Sequence, residues 1–205
     1  MTEPFESPSA LRVAYELRPA KQVERRMLLD GLQRLMVAGF NLREYQYTGM
    51  GSLYFVDYIL FHKFLGIQKL VCVERDRSLL SRMEFNKPSA LIEVISGAIG
   101  DVLPDLDRRQ KHLVWLDYDQ RLDQSIAQDL HLAVASVPPG SIILITVDAK
   151  PPEMGPDPTQ YAKGRALVRE WRSYYERQVG RYFDHSWTDS SFTEDALPAT
   201  LGTRL

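Results

Sequence analysis

Two neighbouring segments of the chain decide its fold: "YQYTGMGSLYF" (45–55) and "KLVCVERD" (69–76). In the first segment, Gly49 and Gly51 interrupt a run of aromatic and apolar residues, as a tight turn after a strand would. The second segment is rich in β-branched residues and reaches an acid, Glu74, where its apolar run ends. An apolar segment of helical length separates the two. This order of strand, glycine turn, helix and strand predicts the first unit of a parallel α/β sheet.

The same alternation continues along the chain. It predicts five strands, at residues 45–48, 69–76, 91–101, 111–119 and 141–150. Helical spacing of apolar residues predicts helices from Pro19 to near Gly39 and at residues 52–65, 123–137 and 167–179. Several of the strands are nearly continuous apolar runs, as in strands covered on both faces. The sequence therefore predicts an α/β fold with a doubly wound, largely parallel, Rossmann-like sheet, an N-terminal helix and a shortened C-terminal end.

The domain organisation is predicted to be simple. The chain has 205 residues, no internal repeat and no linker that would separate two domains. We therefore expect a single domain over residues 1–205. Two prolines and scattered polar residues predict an irregular N-terminal arm over residues 1–18. The polar composition of residues 181–205 predicts a polar tail with at most one strand.

Charge and cysteine content exclude several classes of protein. A net charge of -2 gives no global argument for binding nucleic acid or an anionic membrane, although it leaves a local basic patch open. The single cysteine, Cys72, excludes an intrachain disulfide, and the four histidines show no metal-ligand spacing. No apolar run approaches the roughly 18 residues of a membrane-spanning helix, and the N-terminus lacks the features of a signal peptide. We expect a cytoplasmic protein without a membrane partner.

Glycine or an acid stands at the end of every predicted strand. In strand order these residues are Gly49 and Gly51, Glu74 and Asp76, Gly97 and Asp101, Asp117 and Asp119, and Asp148. Ligands of an open α/β sheet bind at the carboxyl ends of its strands, where these residues are expected to lie. The serial placement indicates a ligand site, although any one polar loop would be unremarkable.

The spacing of Gly51 and Glu74 points to a nucleoside cofactor. Glycine allows the backbone to approach a ligand closely, and an acid about 20 residues further on can accept hydrogen bonds from the two ribose hydroxyls. The alternative is a glycine turn that only tightens a corner. A dinucleotide would require a third glycine, but Tyr54 stands at that position. S-adenosylmethionine has no pyrophosphate and does not need that glycine, so the sequence favours the methyl donor over a dinucleotide oxidoreductase.

The chain at this point resembles a class I S-adenosylmethionine-dependent methyltransferase, with a likeness that covers roughly residues 20–180. The stretch "VISGAIGDVLPDLDRRQKHLVWLDYDQ" (94–120) is similar to the catechol and caffeoyl-CoA type O-methyltransferases. The resemblance implies three contacts of the cofactor S-adenosylmethionine. Its methionine part would lie along Gly49, Gly51 and Ser52, its ribose on Glu74, and its adenine beside Gly97 and Ala98.

The resemblance also implies where the reaction would take place. Asp117 would contact the cofactor nearest to the sulfonium and the reacting centre. Asp117 and Asp119, which flank an aromatic residue at the end of the fourth strand, are the candidate catalytic carboxylates, because an acid beside the acceptor can orient it or remove its proton. The acceptor would carry oxygen or nitrogen. Whether it is a small molecule, a protein or a nucleic acid does not follow from the residues.

Three positions depart from the pattern of these enzymes. Tyr47 stands where class I enzymes usually have an acid, two residues before the first glycine. Ala149 replaces the asparagine that binds magnesium in the metal-dependent O-methyltransferases, and Gln120 replaces their catalytic lysine. We therefore predict no metal ligands. A non-catalytic module that has this fold and binds the cofactor or a partner without turnover is the alternative function.

Overall fold

A computed structural model of the chain describes residues 19–150 and 165–192. The predicted N-terminal arm and the last part of the predicted tail lie outside these residues. The chain separates into two compact units. The first unit consists of the chain up to Trp115 together with Ser136–Ile143. The second unit consists of Leu116–Ala135 and the residues from Leu144 onward.

Helices and strands alternate as the sequence predicts. The five strands are β1 (Gln46–Met50), β2 (Lys69–Glu74), β3 (Ile92–Ser96), β4 (His112–Asp117) and β5 (Ile142–Thr146). The α-helices of the described residues are α1 (Pro19–Val37), α2 (Val56–Leu65), α3 (Leu80–Asn86), α4 (Ile99–Val102), α5 (Gln124–Ser136) and α6 (Arg165–Val179). No described helix is both long enough and apolar enough to cross a membrane.

The five strands form one sheet in the order β3-β2-β1-β4-β5. The pairs β1–β2, β1–β4 and β2–β3 are parallel. From β1 the chain order runs outward in one direction through β2 and β3 and in the other through β4 and β5. The point between β1 and β4 is therefore a topological switch point, where ligands of such sheets bind. This arrangement confirms the predicted doubly wound, parallel, Rossmann-like α/β fold.

Gly49 lies inside strand β1 and not in the turn that follows it. The prediction ended this strand at residue 48, but parallel pairing continues, with Gly49 opposite Cys72. Helix α2 begins at Val56, four residues later than predicted. The residues between form the turn, which Phe55 closes in the left-handed conformation with φ of 53°. The local difference arises because strand pairing, which the sequence pattern does not encode, extends β1 past its first glycine.

Aromatic rings form much of the core of the first unit. The ring of Tyr47 lies 4.9 Å from that of Tyr58 and 4.8 Å from that of Phe61, measured between centroids. The Phe61 ring in turn lies 6.1 Å from that of Trp115. All four side chains are buried. Helix α2 is thus fixed on β1 and β4, and Tyr47, where an acid was expected from the resemblance, is a core residue.

The second unit has a core of its own around helix α6. Its buried members are Leu122, Ile126, Ala127, Trp171, Tyr175, Val179, Phe183, Trp187 and Phe192. Three of these aromatic residues belong to the segment predicted as a polar tail. The rings of Phe183 and Phe192 stack with centroids 6.1 Å apart and an angle of 15°. The described part of the tail therefore folds back into a core, although its overall composition is polar.

Candidate functional site

Gly51 and Glu74 lie in close contact at the carboxyl ends of β1 and β2. A Cβ atom on Gly51 would overlap Oε2 of Glu74 and lie 2.8 Å from its Cδ. Real Cβ atoms do not come this close to other heavy atoms. No residue other than glycine therefore fits at position 51 while the Glu74 side chain keeps its observed position. The two residues that the sequence paired as turn and ribose acid thus lie together at the strand ends.

The carboxylate of Glu74 is oriented by backbone groups. Its Oε1 accepts a hydrogen bond from the amide of Asp76 at 2.6 Å. Partial burial raises the pKa of Glu74, and the hydrogen bonds from the amides of Asp76 and Arg75 oppose this increase. The role of Asp76 in orienting Glu74 was not predicted. The motif "DRS" (76–78) could have indicated a local turn at this point, in which Oδ1 of Asp76 accepts a hydrogen bond from the amide of Ser78 at 2.9 Å.

The exit of β3 adds an open position beside this pair. The amide of Gly97 donates to the carbonyl oxygen of Glu74 at 2.9 Å, which ties the ends of β2 and β3 together. A Cβ atom on Gly97 would meet no atom of the described residues within 4 Å, so they leave free space at this position. Ala98 follows in an extended conformation and precedes helix α4. The structure therefore brings Gly51, Glu74, Gly97 and Ala98 to one region of the sheet edge.

Gly49 has a different environment from Gly51. It is buried, and a Cβ atom there would overlap the hydroxyl of Tyr47 and lie 2.9 Å from that of Tyr58. The Tyr58 hydroxyl donates to the carbonyl oxygen of Met50 at 3.2 Å and so supports the end of β1 from the core side. The structure thus gives Gly49 a packing reason, independent of any ligand, to be glycine.

Ser52 begins the turn above a buried thiol. Its carbonyl oxygen accepts the amide of Phe55 at 3.4 Å, and its own amide interacts with the sulfur of Cys72. Burial raises the pKa of the Cys72 thiol to about 11, and its interactions with the Tyr58 hydroxyl and the Ser52 amide oppose this increase. At neutral pH this thiol is protonated. Cys72 therefore supports the turn and is not a nucleophile.

The candidate carboxylates Asp117 and Asp119 belong to the second unit. Asp117 is the last residue of β4 and is partly buried, whereas Asp119 is exposed. Between them, the amide of Tyr118 donates to the carbonyl oxygen of Thr146 at 2.9 Å. The hydroxyl of Tyr118 donates to Oδ2 of Asp129 at 2.7 Å, so this ring is fixed by helix α5. The loop after β4 is therefore held in place by two hydrogen bonds of Tyr118, one from its backbone amide and one from its side chain.

The exit of β5 joins the exit of β4 in the second unit. The amide of Asp148 donates to the carbonyl oxygen of Gln120 at 3.0 Å. Oδ1 of Asp148 accepts the amide of Lys150 at 3.0 Å. Within residues 19–150 and 165–192, no group of three or more His, Cys, Asp or Glu side chains is arranged to hold a metal ion. That the site has no metal ligands stays a prediction.

Comparison with known proteins gives one family. Residues 13–204 match the model of the family described as "Putative O-methyltransferase". No curated protein sequence matches the chain.

Three solved structures are similar to the chain at low identity. A "putative methylase HI0767 from Haemophilus influenzae" has 17% identity and a TM-score of 0.45, with 63% of this chain and 76% of that chain covered. A "putative caffeoyl-CoA O-methyltransferase from Staphylococcus aureus" has 12% identity and a TM-score of 0.45, with 75% of each chain covered. "Cofactor-bound Rv0187 from MTB" has 18% identity and a TM-score of 0.42, with 66% of this chain and 59% of that chain covered. At such values the similarities carry no argument about the site.

Proposed function

The chain belongs to the family described as "Putative O-methyltransferase", and from that membership we propose that it transfers a methyl group from S-adenosylmethionine to an oxygen or nitrogen acceptor. The observation that carries the proposal is the contact of Gly51 with the Glu74 carboxylate at the carboxyl ends of β1 and β2. It supports a nucleoside site because a close backbone approach and a ribose acid are needed side by side.

Several features of the first unit support the proposed cofactor. Oε1 of Glu74 is held by the amide of Asp76, which fixes the carboxylate for two ribose hydroxyls. The open space at Gly97, beside Ala98, suits a flat base. Gly51 and Ser52 would lie along the methionine part. Gly49 would contribute indirectly, because it leaves room for the Tyr47 and Tyr58 rings to pack against the end of β1. When bound, the cofactor supplies an electrophilic methyl group.

In the second unit, the proposed catalytic residues are Asp117 and Asp119. An acceptor hydroxyl or amine must be held in line with the methyl group, and most of the rate enhancement comes from that positioning. Asp117 ends β4 and is partly buried, so we assign it the contact with the reacting centre. Asp119 is exposed and suits the removal of the acceptor's proton to solvent. The acceptor itself is the open part of the proposal.

Titration calorimetry with S-adenosylhomocysteine tests the cofactor assignment. We expect binding by the parent chain and a loss of about 10-fold or more in Glu74→Ala, since hydrogen bonds to a charged group contribute about 1.5–3 kcal/mol each. Glu93→Ala is the matched control, because Glu93 is an exposed acid on the neighbouring strand β3. If the parent does not bind, or if both variants bind like the parent, the proposed site is wrong.

Transfer of a labelled methyl group to fractions of a cell extract tests the catalytic assignment. Asp117→Asn should reduce transfer strongly while cofactor binding, measured by calorimetry, is largely retained. If the parent binds the cofactor but labels no fraction, the non-catalytic alternative gains support. If Asp117→Asn and Asp119→Asn both transfer at the parent rate, neither carboxylate takes part in the reaction.

A further inference from the structure

A groove of about 680 Å³ opens at the edge of the sheet where the strands begin. It is lined by residues 43–45, which precede β1, by residues 68–69 at the start of β2, and by residues 107–111, which precede β4. Because β1, β2 and β4 are parallel, their first residues share one edge, and the end of β2 at Glu74 lies at the other. Strands of this length span about 17–20 Å. The groove, here called the amino-end groove, is therefore separate from the proposed cofactor site and independent of it.

Three basic side chains of the amino-end groove have no carboxylate partner among the described residues: Arg43, Lys69 and Lys111. Nζ of Lys69 donates to a neutral acceptor, Oε1 of Gln110, at 2.6 Å. Nζ of Lys111 lies 5.9 Å from the centroid of the Tyr45 ring. These contacts orient the two ammonium groups but leave their charges uncompensated.

The remaining charges of the groove nearly cancel. Nε of Arg109 donates to Oδ1 of Asp107 at 2.9 Å, and its Nη2 donates to Oδ2 at 3.1 Å. These hydrogen bonds are the main reason that the pKa of Asp107 is lowered to about 2. Asp107 and Arg109 are therefore both ionised, and their charges cancel. Glu44 accepts the side-chain amide of Asn41 at 2.7 Å and supplies one negative charge. Set against the three uncompensated cations, one acid leaves an excess of two positive charges.

Two of the cationic side chains pack against the backbone of a glycine. The stem of Arg43 lies on Gly66, where a Cβ atom would be 2.9 Å from its Cγ. The stem of Lys111 lies on Gly140, where a Cβ atom would be 3.2 Å from its Cε. The hydroxyl of Tyr45 donates to the carbonyl oxygen of Gly140 at 2.6 Å and fixes that turn. Packed stems lose less conformational entropy when a ligand binds, so the cations are partly preorganised.

We propose that the amino-end groove is a second binding site, for a small phosphorylated molecule of the diphosphate class. Diphosphate oxygens accept hydrogen bonds from guanidinium and ammonium groups, and the excess of positive charge compensates a dianion. The volume of about 680 Å³ lies within the range of small-ligand sites, about 300–1,000 Å³. The site gives the chain a ligand other than its cofactor and its methyl acceptor.

A long nucleic acid fits the amino-end groove less well than a small ligand. The Tyr45 ring is only 2% exposed and lies under Lys111, so it offers no face on which a base could stack. The whole chain carries a net charge of -2. A polyanion that extends beyond the groove would therefore gain no overall electrostatic attraction from the chain, whereas a diphosphate needs only the local cations.

Titration calorimetry with inorganic pyrophosphate at low ionic strength tests the proposal. We expect saturable binding at one site by the parent, weakened about 3- to 10-fold in Lys69→Gln and in Lys111→Gln. Arg82→Gln is the matched control, because Arg82 is an exposed cation on α3 outside the groove, and it should bind like the parent. Melting temperatures equal to that of the parent show that the variants are folded. Arg43→Gln tests the third cation of the groove and should weaken pyrophosphate binding in the same way.

Three results would overturn the proposal. The first is the absence of saturable pyrophosphate binding by the parent, and the second is equal weakening in Arg82→Gln, which would indicate binding by surface charge at large. The third is tighter binding of a short single-stranded RNA than of pyrophosphate through the same lysines, which would assign the groove to nucleic acid. S-adenosylhomocysteine binding by Lys69→Gln should equal that of the parent, so the two sites are tested separately.

Discussion

The Glu74 carboxylate occupies the place that a Cβ atom on Gly51 would take, so this side chain lies directly against the backbone that follows β1. The amide of Asp76 holds Oε1 of the same carboxylate at 2.6 Å. The acid is thus confined between a glycine on one strand and the turn that follows its own strand. A carboxylate confined in this way is oriented before any ligand arrives, which lowers the entropy cost of binding.

The first prediction concerns Gly51→Ala. The new methyl group must displace Glu74, because Oε2 and Cδ of Glu74 lie within overlap distance of it. We expect S-adenosylhomocysteine affinity, measured by calorimetry, to fall by about 10-fold or more, since the charge-assisted hydrogen bonds of a displaced carboxylate are lost. Gly31→Ala is the control, because Gly31 lies in helix α1 and no other described residue has an atom within 4 Å of its Cβ position. Parent-like binding by Gly51→Ala would contradict the proposed site.

The control variant Gly31→Ala is itself predicted to be more stable than the parent chain. Gly31 lies in the interior of helix α1 and is exposed. Glycine at such a position destabilises a helix by roughly 0.5–1 kcal/mol relative to alanine. Gly31→Ala should therefore raise the free energy of unfolding in urea by about that amount. A decrease would show that this part of α1 has a contact that the described residues do not contain.

The effect of pH on cofactor binding follows from the raised pKa of Glu74. Burial is the main cause of the increase, so the carboxyl of the free protein takes up a proton at a higher pH than an ordinary glutamate does. Only the ionised form accepts hydrogen bonds from both ribose hydroxyls. Affinity for S-adenosylhomocysteine should therefore fall as the pH decreases through the raised pKa, above the ordinary value of 4.5. Glu74→Gln should bind more weakly at neutral pH, and its affinity should not change across this window.

The stability of the free protein should respond to Glu74 in the opposite direction. The folded state binds this proton more tightly than the unfolded state does, so the contribution of Glu74 to stability decreases as the pH rises between the ordinary and the raised pKa. A comparison of parent and Glu74→Gln by urea unfolding across that window isolates the contribution. A contribution that grows with pH would show that the burial effect on the pKa has been assigned the wrong sign.

The parallel sheet and its strand-end residues could be predicted because both follow from local pattern. Nearly continuous apolar runs that end on Glu74 and Asp117 indicate buried strands and their exits, whatever the rest of the chain does. The roles of the two glycines could not be separated in this way. Gly49 is constrained by the hydroxyls of Tyr47 and Tyr58, and Gly51 by Glu74, and these contacts depend on the packing of distant residues.

A buried ion pair joins helix α1 to helix α2 and gives a further stability prediction. Nε of Arg25 donates to Oδ1 of Asp57, and both residues are more than nine-tenths buried. Removing one partner leaves a buried charge without compensation, which costs about 3–5 kcal/mol. We expect Asp57→Ala to lower the free energy of unfolding by that amount, whereas Arg26→Ala, at an exposed neighbouring position, should change it by less than about 0.5 kcal/mol. The double variant Arg25→Met with Asp57→Leu should recover much of the loss.

The aromatic residues that the segment 183–192 adds to the core of the second unit could not be predicted, because they are too few and too widely spaced for a periodic signal. Phe183 follows a short 3-10 turn (Gly180–Tyr182), Phe192 ends a second one (Asp189–Phe192), and Trp187 lies between the two turns, so none of the three residues belongs to an α-helix or strand that would fix its spacing. They are buried because they meet helix α6, as the ring pair Tyr175–Phe192 at 6.2 Å illustrates. A composition that is polar on average thus conceals three residues that close a core.

The last prediction tests whether these aromatic residues stabilise the second unit. Trp187 is 3% exposed and lies 5.2 Å from Phe183 and 5.9 Å from Phe192 between ring centroids. Trp187→Ala should lower the free energy of unfolding by about 3–5 kcal/mol through loss of burial and the cavity it leaves. Trp187→Phe should cost much less, because the buried Nε1 of Trp187 has no hydrogen-bond partner among residues 19–150 and 165–192, and its removal relieves a desolvation penalty. Phe85→Ala, at a ring that is 88% exposed, is the control and should have little effect. Equal losses in Trp187→Ala and Phe85→Ala would show that residues 183–192 do not contribute to a cooperative core.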